Sequence, residues 1–82
     1  MNYIGIIKMD LKFPFIYAEF KNGEKYCYDI NEMVPEREEY EQLLNEEYFY
    51  KAKLGVKGWD IHWDDFADIP CEGIIKFGEK IG

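Results

Sequence analysis

Serine and threonine are absent from all 82 residues, so tyrosine is the only hydroxyl side chain available. That excludes Ser-His-Asp hydrolysis and the P-loop, which ends on one of those two hydroxyls. None of the seven glycines falls in G-x-G-x-x-G either. Arginine occurs once, as Arg37 among glutamates, and the formal charge is −7. This argues against direct binding to nucleic acid or an anionic membrane, because phosphate contacts need clusters of Lys and Arg. The lysines do recur locally at Lys51, Lys53 and Lys57. Only two cysteines are present, Cys27 and Cys71, without metal-ligand or redox spacing. They read as reduced, partly buried thiols of a cytosolic protein. No apolar run approaches membrane-spanning length, and residues 1–8 lack the charged start and apolar core of a signal peptide. A soluble, cytoplasmic protein without a cofactor is expected.

What the chain has in quantity is aromatic side chains: seven Tyr, six Phe and two Trp, 18% of the residues. A domain this small buries only ~60% of its unfolded surface. Aromatics compensate, since each hides roughly 150–250 Å². No linker or repeat divides the sequence, so a single domain over residues 1–82 is expected. Residues 3–9 read as a first strand, with Gly5 marking a bulge or a close packing contact. Residues 15–21 and 24–30 read as two strands around Asn22-Gly23, a strong hairpin signal. With a two-residue turn, Ala18 lies opposite Cys27 and Tyr17 opposite Tyr28. Ile16, Ala18, Phe20 and Cys27 then face the core, and Tyr17, Glu19, Tyr26 and Tyr28 form an amphipathic outer face. A one-residue bulge at Gly23 would shift this pairing.

Residues 35–44 read as an acidic helix opened by Pro35, with Tyr40, Leu43 and Leu44 as its apolar stripe. Asn45 either stops that helix or caps a short second one through Tyr48 and Phe49. Residues 51–56 alternate, placing Ala52, Leu54 and Val56 on one side. Lys57-Gly58 turns the chain, after which Trp59, Ile61 and Trp63 share a face opposite Asp60, His62 and Asp64. Residues 70–77 read as a last helix closed by Gly78. The order strand-strand-strand-helix-strand-strand-helix predicts an α+β fold with a small antiparallel sheet.

Two constellations carry possible chemistry. Asp60, His62, Asp64 and the nearby Asp68 mix imidazole and carboxylate, the ligand set of a divalent metal or a metal-dependent hydrolase. Side chains alternating on an exposed strand point into water, however, and a structural site needs a fourth convergent ligand. The ordinary reading is a solvated polar face with no metal. The second constellation is a recognition surface: the tyrosines Tyr17, Tyr26 and Tyr28, the acidic helix with Glu38 and Glu39, and Asp60 with His62. No local signature activates either thiol, and 82 residues leave little room for a substrate cleft beside the core. The reading is a non-enzymatic protein.

The segment Phe20-Lys21-Asn22-Gly23-Glu24 followed by Asp29-Ile30, then Leu43-Leu44 and Glu46-Glu47-Tyr48-Phe49, resembles the bacterial family called domain of unknown function 2442. The most specific block is the last: Ile61-His62-Trp63, Asp64-Asp65, Asp68-Ile69, Glu72-Gly73-Ile74-Ile75 and Gly78. The resemblance covers residues 15–78. The chain has Asp64 where members carry proline, Ala67 where they are acidic, and one residue fewer before Asp68. The resemblance implies a small α+β domain in which Phe20, Gly23, Asp29, Phe49, Ile61, Trp63, Asp68, Ile69, Glu72 and Gly73 are structural. Some members look like halves of toxin–antitoxin pairs. That implies an antitoxin-like or regulatory module with a protein partner. The charge of −7 favours a small basic partner, and a transcriptional regulator would have to act through such a partner's basic surface.

Overall fold

The computed structural model of the chain describes residues 5–33, 38–63 and 67–82. Strands β1 (Ile6–Lys12), β2 (Phe15–Phe20) and β3 (Lys25–Asp29) form an antiparallel meander, followed by helix α1 (Ile30–Met33). A 3-10 helix (Glu38–Leu44), helix α2 (Glu46–Phe49) and strand β4 (Lys53–Leu54) come next. A 3-10 turn (Val56–Gly58) leads into β5 (Asp60–His62), β6 (Asp68–Pro70), helix α3 (Cys71–Phe77) and β7 (Glu79–Lys80). The strands make two antiparallel sheets, ordered β1-β2-β3-β7 and β4-β5-β6. The fold is α+β, as expected, with β6 and β7 added to the five expected strands. Both are two or three residues long. Neither is long enough to display a sequence period, so only pairing with β5 and β3 makes them strands.

The hairpin departs from the expected register. Tyr17 pairs with Cys27, Ala18 with Tyr26 and Ile16 with Tyr28. The loop holds three residues, because the Phe20 N–H bonds the Glu24 carbonyl and the Gly23 N–H bonds the Phe20 carbonyl. Gly23 takes φ 90°, the left-handed residue that follows the turn in a bulged three-residue loop. Asn22 fixes the bend: its Oδ1 accepts the Glu24 N–H at 3.0 Å and its Nδ2 donates to Glu24 Oε1 at 2.8 Å. This one-residue shift exchanges the faces of β3. Tyr26 and Tyr28 are buried beside Ile16, Ala18 and Phe20, and Cys27 stands on the outer face opposite Tyr17.

One hydrophobic cluster unites the sheets and helices. The two sheets contribute Ile6, Phe20, Tyr28, Ile61 and Ile69, and the connecting segments contribute Ile30, Leu43, Phe49, Trp63 and Ile74. Asn45 caps α2, its Oδ1 accepting the Tyr48 N–H at 3.0 Å, and so positions Phe49 in the core. The acidic segment winds from Glu38 as a 3-10 helix, the tighter form suited to short pieces. Its expected start at Pro35 lies outside the described residues. β1 continues to Lys12, beyond the expected 3–9, and its register slips at Ile7, not at Gly5. Gly5 is instead a close packing contact, its Cα against the Lys57 carbonyl.

The segment before β5 corrects a second expectation. Lys57 and Gly58 both take positive φ, 57° and 69°. The chain turns there so sharply that β5 starts only at Asp60. Ile61 and Trp63 are buried, but Trp59 is 44% exposed and Val56 is 77% exposed. The expected apolar face of Trp59, Ile61 and Trp63 against Ala52, Leu54 and Val56 therefore reduces to Leu54, Ile61 and Trp63, with Ala52 partly buried beside them.

β7 is held to the hairpin by an ion pair, Lys80 Nζ to Glu24 Oε2 at 2.9 Å. The hydrogen bond from Lys80, reinforced by Asn22, holds the Glu24 carboxyl below its usual range, and Glu24 in turn raises Lys80. The pair's contribution is therefore present near neutral pH. It is lost as pH falls through the depressed Glu24 value, and again as pH rises through the raised Lys80 value. Amide hydrogen exchange at Glu79 and Ile81, whose N–H groups face β3, is expected to accelerate in acid relative to β2, after correction for the intrinsic rate. Glu24→Gln should remove that acid-dependent step, and a Glu24→Gln profile identical to the parent's would contradict the assignment.

Candidate functional site

On β5 the side chains alternate as the sequence suggested. Ile61 is buried between Leu54 and Ile69, whereas His62 pairs with Lys53 on one side and Asp68 on the other. Asp60 Oδ1 lies 3.4 Å from His62 Nδ1, both side chains more than a third exposed. An exposed pair at that distance is a weak, water-screened contact. Asp64 and Asp65 lie outside the described residues. Among the described residues, no three His, Cys, Asp or Glu side chains converge closely enough to hold a metal ion.

The tyrosine surface does not assemble. Tyr17 is half-buried on the outer face, while Tyr26 and Tyr28 are core residues, for the register reason given above. The side chains of Glu38 and Glu39 lie outside the described set. Cys27 faces Tyr17, and burial pushes its thiol up, opposite to what an activated nucleophile needs. Cys71 is buried and also unbridged.

A different surface stands out. Ile7, the extra residue of β1, is 58% exposed, and with Trp59, Lys21 and Lys57 it lines an open cleft of about 720 Å³. The Lys57 ammonium lies 5.6 Å from the Trp59 ring centroid, within cation–π range. Val56 projects from the tip of the same turn. The turn is anchored by backbone contact: a Cβ on Gly58 would run into the Ile6 carbonyl oxygen, and one on Gly5 into that of Lys57.

The signature residues are mostly architectural. Phe20, Phe49, Ile61, Trp63 and Ile69 are buried, Gly23 makes the hairpin, and Asp29 Oδ1 accepts the Asn31 N–H to open α1. Asp68 and Glu72 are exposed and Gly73 is half-buried. A family model described as "Protein of unknown function (DUF2442)" matches residues 7–79. The chain belongs to this family. No match was found among curated proteins or among solved structures. In this DUF2442 protein the match takes in both the hairpin and the Trp63 block. The cleft residues Ile7, Lys57 and Trp59 escaped sequence reasoning. The signal in the sequence is Lys57-Gly58, which marks a turn without fixing where Trp59 lies after it. Among the described residues, no helix is long and apolar enough to cross a membrane.

Proposed function

We propose that this protein is a non-enzymatic interaction module, the antitoxin-like or regulatory half of a two-protein system, working in the cytoplasm with a small basic partner. The observation that carries the reading is the exposure of Ile7 and Trp59 in a lysine-lined cleft, with Val56 exposed on the same turn. Half-exposed tryptophan flanked by aliphatic residues is the composition of an interface anchor, and tryptophan is enriched among residues that dominate binding energy. The formal charge of −7 steers a basic protein toward the molecule. At the cleft itself, Lys21 and Lys57 meet acceptor groups of that partner.

The test is co-expression with the product of the neighbouring gene, followed by size-exclusion and titration. A complex is expected whose association slows as salt rises. Trp59→Ala should weaken it by roughly tenfold or more without changing the circular dichroism of the free chain. Unchanged affinity in Trp59→Ala would remove the cleft from the interface, and no complex at all would remove the reading.

A further inference from the structure

Antiparallel pairing alternates the backbone groups of a strand between its two sides. In β2 the Phe20 N–H bonds the Glu24 carbonyl, so Phe20 turns toward β3. Glu19, Tyr17 and Phe15 therefore turn toward β1, where they meet Lys8, Asp10 and Lys12. Met9 and Leu11, the residues between, direct their N–H and C=O groups off the outer edge of the sheet. This edge is closed at both ends. Gly58 packs its backbone on Ile6, and the Tyr50 hydroxyl accepts the Phe13 N–H at 2.9 Å. Among the described residues nothing bonds the outward groups of Met9 and Leu11. A two-residue window of sheet edge is thus left open among the described residues.

The side chains around the window specify what fits it. Lys8, Asp10 and Lys12 are on the open face, whereas Met9 and Leu11 are partly buried against the core. A second copy of this chain is a poor occupant. The antiparallel register that joins Met9 of one copy to Leu11 of the other, the one that uses both open residues of each copy, sets Asp10 against Asp10 and each Lys8 against a Lys12. Registers centred on Met9 or Leu11 alone pair Asp10 with a lysine but run into the bulge at Ile7 or the Phe13 N–H already bonded to Tyr50. Parallel in-register pairing also opposes like charges. Lysines and a bulge are ordinary defences of an edge against its own kind, and here they leave a complementary pattern open.

We propose that the β1 edge binds one extended strand of a protein partner, with acidic, basic and acidic residues opposite Lys8, Asp10 and Lys12 and apolar residues between them. Main-chain bonds to Met9 and Leu11 supply attachment and the alternate side chains supply selection, as in other strand-addition complexes. The acid–base–acid pattern reads the same in both directions, so selection does not depend on strand polarity. This surface rests on the interaction-module reading and names a contact separate from Trp59.

The experiment titrates the full chain with two labelled peptides by fluorescence anisotropy: Gly-Val-Glu-Val-Lys-Val-Glu-Val-Gly and its charge-inverted form, Gly-Val-Lys-Val-Glu-Val-Lys-Val-Gly. The first is expected to bind about tenfold more tightly or better. The combined variant Lys8→Glu, Asp10→Lys, Lys12→Glu should reverse that preference. Met9→Pro deletes an outward N–H without removing a bond to β2, and should weaken the first peptide by about tenfold. If Met9→Pro does not fold, N-methylation of the peptide's edge-facing amides gives the same readout. Equal affinity for both peptides, no binding at about 1 mM, or an edge-dependent dimer of the chain itself would overturn the proposal. Trp59→Ala should leave peptide binding unchanged. A failed peptide preference beside an intact partner complex thus rejects the edge alone, and a missing partner complex rejects the interaction reading.

Discussion

Trp63→Ala is expected to cost about 3–5 kcal/mol, the usual range for emptying the site of a buried tryptophan. Trp63 is 8% exposed, and its Nε1–H donates to the Phe49 carbonyl at 2.9 Å across 14 residues of sequence. Removing it therefore opens a cavity and releases α2 from the end of β5 together. At roughly 0.05–0.15 kcal/mol per residue, the whole domain holds about 4–12 kcal/mol. Much or all of that margin goes with one side chain. Thermal unfolding followed by far-ultraviolet circular dichroism should find Trp63→Ala unfolded or melting far below the parent. Trp63→Phe keeps most of the volume and loses the donor, so an intermediate loss of about 1–2 kcal/mol is expected. His62→Ala, next in the chain on the opposite face, should stay within about 1 kcal/mol of the parent. If His62→Ala unfolds the protein and Trp63→Ala does not, the two faces of β5 have been exchanged.

Gly58→Ala should be nearly as damaging, and Gly23→Ala provides its control. Both glycines have positive φ, 69° and 90°. An alanine at either pays the left-handed strain of about 1–2 kcal/mol. Their surroundings differ. An added Cβ at Gly23 meets nothing within 4 Å, whereas at Gly58 it runs into the Ile6 carbonyl and crowds the Ile6 nitrogen. Both obstacles are backbone, so the 3-10 turn must lift from β1. Overpacking of this kind adds about 1–3 kcal/mol. Denaturant titration should therefore place Gly58→Ala below Gly23→Ala by roughly that difference. Equal losses would mean that the turn does not rest on β1. The cleft beside Trp59 and the closed end of the β1 edge would then lose their geometric basis.

The sequence by itself determined a good deal about this protein. Alternation of Ile16, Ala18 and Phe20 marked β2 and its buried face, Asn22-Gly23 marked the hairpin, and Asn45 marked a helix boundary, which the structure makes the start of α2. Ile61 and Trp63 were legible as core, and the Trp63 block identified the family. These are local signals, each carried by a short-range period, a turn preference or a cap, and they survive any arrangement of the remainder. Tertiary structure decided what depended on counting across a turn or on which neighbour arrived. One extra residue in the hairpin loop exchanged the faces of β3, taking Tyr26 and Tyr28 into the core and leaving Cys27 outside, because side chains in a strand alternate with period two. Backbone contact between Gly58 and Ile6 held the turn that leaves Trp59 partly exposed. Pairing with β3 made a strand of Glu79 and Lys80. The open window at Met9 and Leu11 exists only because β1 ended up at the margin of its sheet, and a strand's own residues do not encode which strands will lie beside it.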